Sequence, residues 1–187
     1  VFSAWTAEER GLLGSEYYAD HPWLPLETTV ANFTMDVLQP NGLARDVVLV
    51  GAGQNELESL LTQKAAGQGR VVTPDAKPER GLAFRADHFP FARRGVPALL
   101  LMGMGGGHDL VNGGREAGDR WVADFTGKCY HQACDRWSES WDLRGAAQDV
   151  TLIYQMASQL ANSRAWPQWN PGNEFKAVRD STVAQRK

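Results

Sequence analysis

Pro97-Ala-Leu-Leu-Leu-Met102, followed at once by Gly103-Met-Gly-Gly-Gly107, is the stretch on which the fold turns. The run is strand-sized, far short of the roughly 18 apolar residues of a membrane span. An unbroken apolar run of that length marks a strand covered on both faces. The glycines behind it predict a flexible loop. Asp46 to Val50 has the same character and also runs into glycines, Gly51-Ala-Gly53. Helical segments alternate with these strands. Asn55 to Ala66 keeps Leu57, Leu60 and Leu61 in step, and Gly145 to Asn162 repeats Ala146, Val150, Ile153, Ala157 and Leu160 at helix-face spacing.

Outward from that core, Thr29 to Leu38 predicts a strand and Val71-Val72 the start of another. Val1 to Trp5 predicts a buried strand. Ala7 to Asp20 predicts a helix with Leu12, Leu13 and Tyr17 inward, Thr6 as N-cap and Glu9 completing a capping box. Gln39-Pro-Asn-Gly42 is a turn by its residue types. Gly113 to Gly127 predicts loop. Trp166 to Lys187, polar with Pro167, Pro171 and Gly172, predicts a tail that wraps the surface or frays. The alternation gives an α/β class, with a mixed, mostly parallel sheet flanked by helices. Sites in such sheets form at the carboxyl ends of strands.

The 187 residues suit one domain. Apolar residues at 43% and charged residues at 22% exclude a disordered or fibrous chain. A net charge of −3 and an isoelectric point near 5.8 offer no basic field for nucleic acid. No membrane span and no signal peptide are visible; Val1-Phe-Ser-Ala-Trp5 has neither an initiating Met nor a basic start. Cys129 and Cys134 are too few for a disulfide scaffold and wrongly patterned for a Cys-only zinc site. A local disulfide and two buried thiols both fit.

Four constellations carry chemistry. In Trp5-Thr-Ala-Glu8-Glu9-Arg-Gly11-Leu-Leu-Gly14-Ser15, two adjacent carboxylates point about 100° apart if helical. One can hold a metal while the other serves as base beside an activated water; alone, acids at a helix start are more often dipole partners. Asp36 closes Asn32-Phe-Thr-Met-Asp and is a turn starter or a ligand. Arg85-Ala-Asp87-His88-Phe-Pro90-Phe91 sets an Asp beside an imidazole, or is a solvated loop. Cys129-Tyr130-His131-Gln-Ala-Cys134-Asp135 carries a candidate imidazole ligand.

In this order and combination, Glu-Glu-x-Gly-Leu-x-Gly-Ser, Met-Asp, Asp-His-x-Pro-Phe with Gly-Val-Pro-Ala, and Tyr-His strongly resemble the zinc-dependent M28 aminopeptidases. The interval from Glu9 to Asp36 fits as well, and the matches run from Trp5 to about Asn162. The resemblance implies a mixed sheet flanked by helices and a cleavage at the amino end of a peptide. It implies Glu8 as general base, Glu9 and His131 as ligands of one zinc, and Asp36 as ligand of a second. Asp87, His88 and Tyr130 become supporting or substrate-binding residues.

The same resemblance implies a His ligand and a metal-bridging Asp upstream of the Glu-Glu pair. Neither residue type occurs before Glu8, and neither His21 nor His108 stands where the family has one. The expectation is therefore residues 1–165 as the C-terminal part of a zinc peptidase catalytic domain, incomplete on its N-terminal side, with 166–187 as a tail. Two zinc ions belong to the complete site; one or none is expected here, with little or no activity. Expected partners are a peptide or amino-acid-derivative substrate, and either the missing N-terminal part or a second copy paired through the Val1–Trp5 strand. Family habit points to a secreted or periplasmic protein. A glutaminyl-cyclase-like acyltransferase on the same scaffold and a non-catalytic interaction domain are the competing readings.

Overall fold

A computed structural model describes residues 1–186. Its centre is a four-stranded sheet built from β1 (Asn32–Asp36), β2 (Asp46–Val50), β3 (Val71–Pro74) and β4 (Ala98–Met102), in the order β1-β4-β2-β3. β1 runs parallel to β4 and β3 parallel to β2, while β2 and β4 are antiparallel. The sheet is mixed and mostly parallel. β2 and β4 are buried along their whole length, as continuous apolar runs in the middle of a covered sheet must be.

Successive side chains of a strand face opposite ways. Leu99 and Leu101 of β4 therefore meet α2 (Leu57–Gly67) and α5 (Arg144–Ala161), in a cluster with Val47, Leu61, Leu152 and Met156. Leu100 and Met102 face the other way, onto Leu82, Ala86 and Met104. A third cluster joins α1 (Leu13–Asp20) to α3 (Phe89–Arg93) through Ala19, Phe91 and Val96, with Trp5 against Tyr18 and Phe91.

Several expectations need correction. Val1 to Trp5 is not a strand: Val1 and Phe2 are fully exposed, and Trp5 leaves the sheet for the aromatic cluster. The helix expected over Ala7–Asp20 is broken into a short turn, Glu8–Arg10, and α1. The break lies at Gly11 and Leu12, where φ turns left-handed (97° and 60°), and the chain before it folds back onto Gly14. Its amide donates to the Thr6 carbonyl, and a Cβ there would sit 2.5 Å from the same oxygen. Thr6 thus gives its carbonyl rather than a side-chain cap. Ser15 and Ala19 face inward on α1, whereas Leu13 and Tyr17 are exposed.

Gly113 to Gly127 is not loop but mainly α4 (Gly114–Asp124), continued by a wide turn over Phe125–Cys129. Gly118 serves packing, not helix breaking: a Cβ there would run into the His108 carbonyl. Gly103 to Gly105 is buried, not a free loop. The final segment holds α6 (Lys176–Ser181) and buried anchors. Trp169 donates its indole N–H to the Gly95 carbonyl at 3.0 Å, and Arg179 donates to the Thr29 and Val30 carbonyls. Burial lowers the Arg179 guanidinium to about 10.

Candidate active site

Glu8 and Glu9 sit on the Glu8–Arg10 turn, held out from the helix behind them by the break at Gly11 and Leu12. Asp36 is the last residue of β1, opposite Met102 at the carboxyl end of β4. His131 follows the wide turn after α4. Its Nε2 lies 2.9 Å from Glu9 Oε1, and its ring stacks on Tyr130 at 3.8 Å between centroids. A Cys129–Cys134 disulfide closes the loop that carries both rings, which settles the choice the sequence left open.

The backbone is unusual here. Among the described residues, those other than glycine with left-handed φ are Ala7 (56°), Leu12 (60°), Val37 (30°) and His131 (61°). Ala7 and Leu12 flank the Glu8–Glu9 turn, Val37 follows Asp36, and His131 is itself a site residue. Such backbone costs on the order of 1–3 kcal/mol per residue and gathers at functional sites. For a β-branched residue like Val37 it is a marked outlier.

The acids share one field. Burial, then Glu9, Asp36 and Asp87, push the Glu8 carboxyl above its ordinary range, with His131 opposing. Burial raises Asp36 too, with Asp87 and Glu9 adding and the Val37 amide opposing. Asp87 is raised by burial although Ser15 Oγ donates to it at 2.6 Å. Burial, then Glu9, raises the Tyr130 phenol. An open cleft of about 440 Å³ beside them is lined by Glu8, Glu9, Leu12, Phe84, Arg85 and Tyr130 among others.

Glu8, Glu9, Asp36, Asp87, Tyr130 and His131 thus lie in one neighbourhood. His88 does not join them: it is buried at the start of α3 and lines a different cavity. His21 stacks on Tyr17 at the surface, and His108 lies buried beside Asp46, so neither stands in for a missing ligand. Sequence reasoning gave Ser15 no role, although it stands in the first constellation; its buried hydroxyl holds Asp87. Phe84 went unremarked, and Arg85 was quoted at the head of the third constellation without a role. Their one signal was position, just ahead of Asp87.

Imidazole nitrogen and carboxylate oxygen are the ligand types zinc takes. His131 and Glu9 offer one such pair, and Asp36 a further oxygen in the same field. Among the described residues, however, no three potential ligands gather around one point. The donor chemistry fits a divalent cation; a complete ligand shell is not assembled.

The family description "Peptidase family M28" matches residues 1–155. The chain belongs to peptidase family M28. No curated protein matches this M28 chain significantly. Among solved structures it is similar to an aminopeptidase from Aneurinibacillus sp. strain AM-1, with 21% identity and a TM-score of 0.49. That match covers 81% of this chain and 32% of the other, so the M28 chain spans about a third of that protein's length. Among the described residues no helix is long and apolar enough to cross a membrane.

Proposed function

We propose that this M28 chain carries part of the catalytic site of a zinc-dependent aminopeptidase. One observation carries the reading. Residues far apart in sequence, Glu8 and Glu9, Asp36 and His131, meet in one acidic neighbourhood, and the left-handed non-glycine positions among the described residues all flank or join them. Strained backbone is retained where a side chain must be aimed.

Glu9 and His131 would hold one zinc, and Asp36 would contribute to a second in the complete site. When bound, zinc acidifies water and polarises a carbonyl. Glu8 then acts as general base: its carboxylate takes the proton from the attacking water and hands it to the departing amine. Tyr130 stands on the cleft wall and orients the substrate. Asp87, held by Ser15, supplies negative charge that favours a free α-ammonium, which makes the cleavage an exo-cleavage. The Cys129–Cys134 disulfide supports an oxidising compartment, in keeping with a secreted or periplasmic protein.

The test uses the full gene product and an amino-acid p-nitroanilide. Hydrolysis should fall by about a hundredfold or more in Glu8→Gln, as expected for a lost general base, with bound zinc measured by mass spectrometry unchanged. Full activity in Glu8→Gln sinks the assignment of the base. Formation of pyroglutamate without release of free amino acid replaces the peptidase by a cyclising transferase. The 187-residue chain alone should bind at most one zinc and hydrolyse the substrate poorly.

A further inference from the structure

We propose that the Arg85 guanidinium is a carboxylate-recognising element of the cleft, so that the substrate is a short peptide carrying a free carboxylate. The proposal rests on the aminopeptidase reading above and adds a substrate class to it. Arg85 closes the short turn Leu82–Phe84, its backbone amide donating to the Leu82 carbonyl at 3.1 Å. Leu82 and Ala86 are buried in the core beneath this turn, and Arg85 is turned outward. There it lines the open cleft together with Glu8, Glu9, Leu12 and Tyr130.

Two arginines line this cleft, and the fold treats them differently. Arg93 is already matched: its Nη2 donates to both carboxylate oxygens of Glu16, at 2.6 and 2.7 Å. Arg85 has no such match, for among the described residues it is in no ion pair. Its charge is nevertheless felt at the site. Burial, then Glu9, raise the Tyr130 phenol, and Arg85 opposes them. The guanidinium therefore acts on a group of the cleft wall.

A guanidinium presents a planar fork of donors that matches the two oxygens of a carboxylate. The cleft thus carries both signs. Glu8, Asp36 and Asp87, with their raised carboxyls, favour a cation, and Arg85 favours an anion. A peptide with a free α-ammonium and a free carboxylate meets both demands, whereas a neutral analogue of the same size meets one. A cleft charged in this way also raises the local concentration of a substrate of matching charge. Two sources supply such a carboxylate: the C-terminus of a dipeptide, and an acidic side chain on the first residue. They offer Arg85 the same chemistry and differ in where the carboxylate sits on the peptide.

The experiment uses the full gene product and two substrate pairs: Ala-Ala with its C-terminal amide, and glutamyl p-nitroanilide with glutaminyl p-nitroanilide. In at least one pair kcat/KM should favour the carboxylate-bearing member by about tenfold, the order of one charge-assisted hydrogen bond. The pair that responds identifies the source of the carboxylate. Arg85→Gln should bring that ratio to about one, acting through KM and with bound zinc unchanged, and Arg85→Lys should keep part of it. Binding is read without turnover in Glu8→Gln, by calorimetry with the same four compounds. The favoured member should bind about tenfold tighter than its neutral counterpart, and Arg85→Gln in that background should make them equal. A preference in binding without hydrolysis by the unaltered enzyme keeps Arg85 as a carboxylate site and removes the peptidase. Hydrolysis without a preference in either pair keeps the peptidase and overturns the role of Arg85. That role also falls if the preference survives Arg85→Gln, or if none of the four compounds binds.

Discussion

Two groups of acids in this chain are treated in opposite ways. Asp46, at the start of β2, is fully buried and surrounded by donors. Arg115 Nη2 reaches it at 2.7 Å, Thr73 Oγ1 at 2.8 Å and the Asp109 amide at 2.9 Å, with His108 Nδ1 at 3.4 Å. Burial pushes its carboxyl up, but His108, Thr73 and the Asp109 amide more than reverse this, and it stays far below the ordinary range. Glu8, Asp36 and Asp87 lie in the same molecule with raised carboxyls, and among the described residues none of them is in an ion pair. The fold neutralises the acids that hold it together and leaves the acids of its site short of positive charge.

The largest effect should come from the neutralised side. Arg70 Nη2 bonds Asp149 Oδ1 at 2.6 Å, and Arg70 Nε bonds the Asp46 carbonyl at 3.0 Å, with both side chains of the ion pair almost fully buried. Arg70→Met leaves a buried carboxylate unpaired and should cost about 3–5 kcal/mol in urea unfolding. Burial already raises the Asp149 carboxyl in spite of Arg70, so protonation relieves the loss as pH falls. A second change, Asp149→Leu, should recover most of it. A loss under about 1 kcal/mol for Arg70→Met would place this pair with ordinary surface bridges and break the contrast.

Asp46 adds a pH signature. Its carboxyl is lower in the folded chain than in the unfolded one, so the unfolded chain binds more protons. The stability Asp46 contributes is therefore complete above about pH 4–5 and drains as pH falls through the folded value. Unfolding at pH 6 should show Asp46→Asn clearly weaker than the unaltered chain, and the gap should narrow by pH 3. A gap that is constant or widens toward acid would mean that the donors around Asp46 do not favour its charge.

How far the sequence foretold this contrast depends on what each region buries. β2 and β4 were legible because their runs are apolar on both faces. The site was legible in part because Glu8-Glu9, Asp36 and Tyr130-His131 stand in a recognisable order. The polar supports were not. In α5 the buried residues are Gly145, Asp149, Leu152, Ile153 and Met156, about one residue round from the face that Ala146, Val150 and Ala157 suggested. Hydrophobic periodicity has no means of seeing a buried Asp149 whose partner, Arg70, lies on another element. Ser15 on α1 misled in the same way, being polar and buried. Gly113 to Gly127 suggested loop because the backbone that Gly118 packs against, at Gly107 and His108, lies on another segment.

On the site side the sign reverses. Asp36→Asn removes one charge from a cluster of like charges and should stabilise the chain by about 1 kcal/mol in urea with a chelator present. That is the usual direction for neutral replacements in strained functional sites. The same replacement should weaken zinc retention by the full gene product. If Asp36→Asn destabilises the chelated chain as Asp46→Asn does, the site acids are structural after all, and the distinction drawn between the two groups fails.

The smallest effect concerns backbone rather than charge. Ala7 holds φ at 56° immediately before Glu8. A left-handed conformation costs an L-residue roughly 1–2 kcal/mol, and glycine adopts it freely but loses more entropy on folding. Ala7→Gly should therefore stabilise by only a few tenths of a kcal/mol up to about 1 kcal/mol, the two effects opposing. The informative readout is the geometry it frees. With Ala7 no longer restricting the turn, the His131–Glu9 contact loosens, and the ring signals of Tyr130 and His131 broaden or shift in NMR. If Ala7→Gly gains stability while those signals stay unchanged, the strain is local to the turn. Left-handed backbone would then be incidental to how the site residues are aimed.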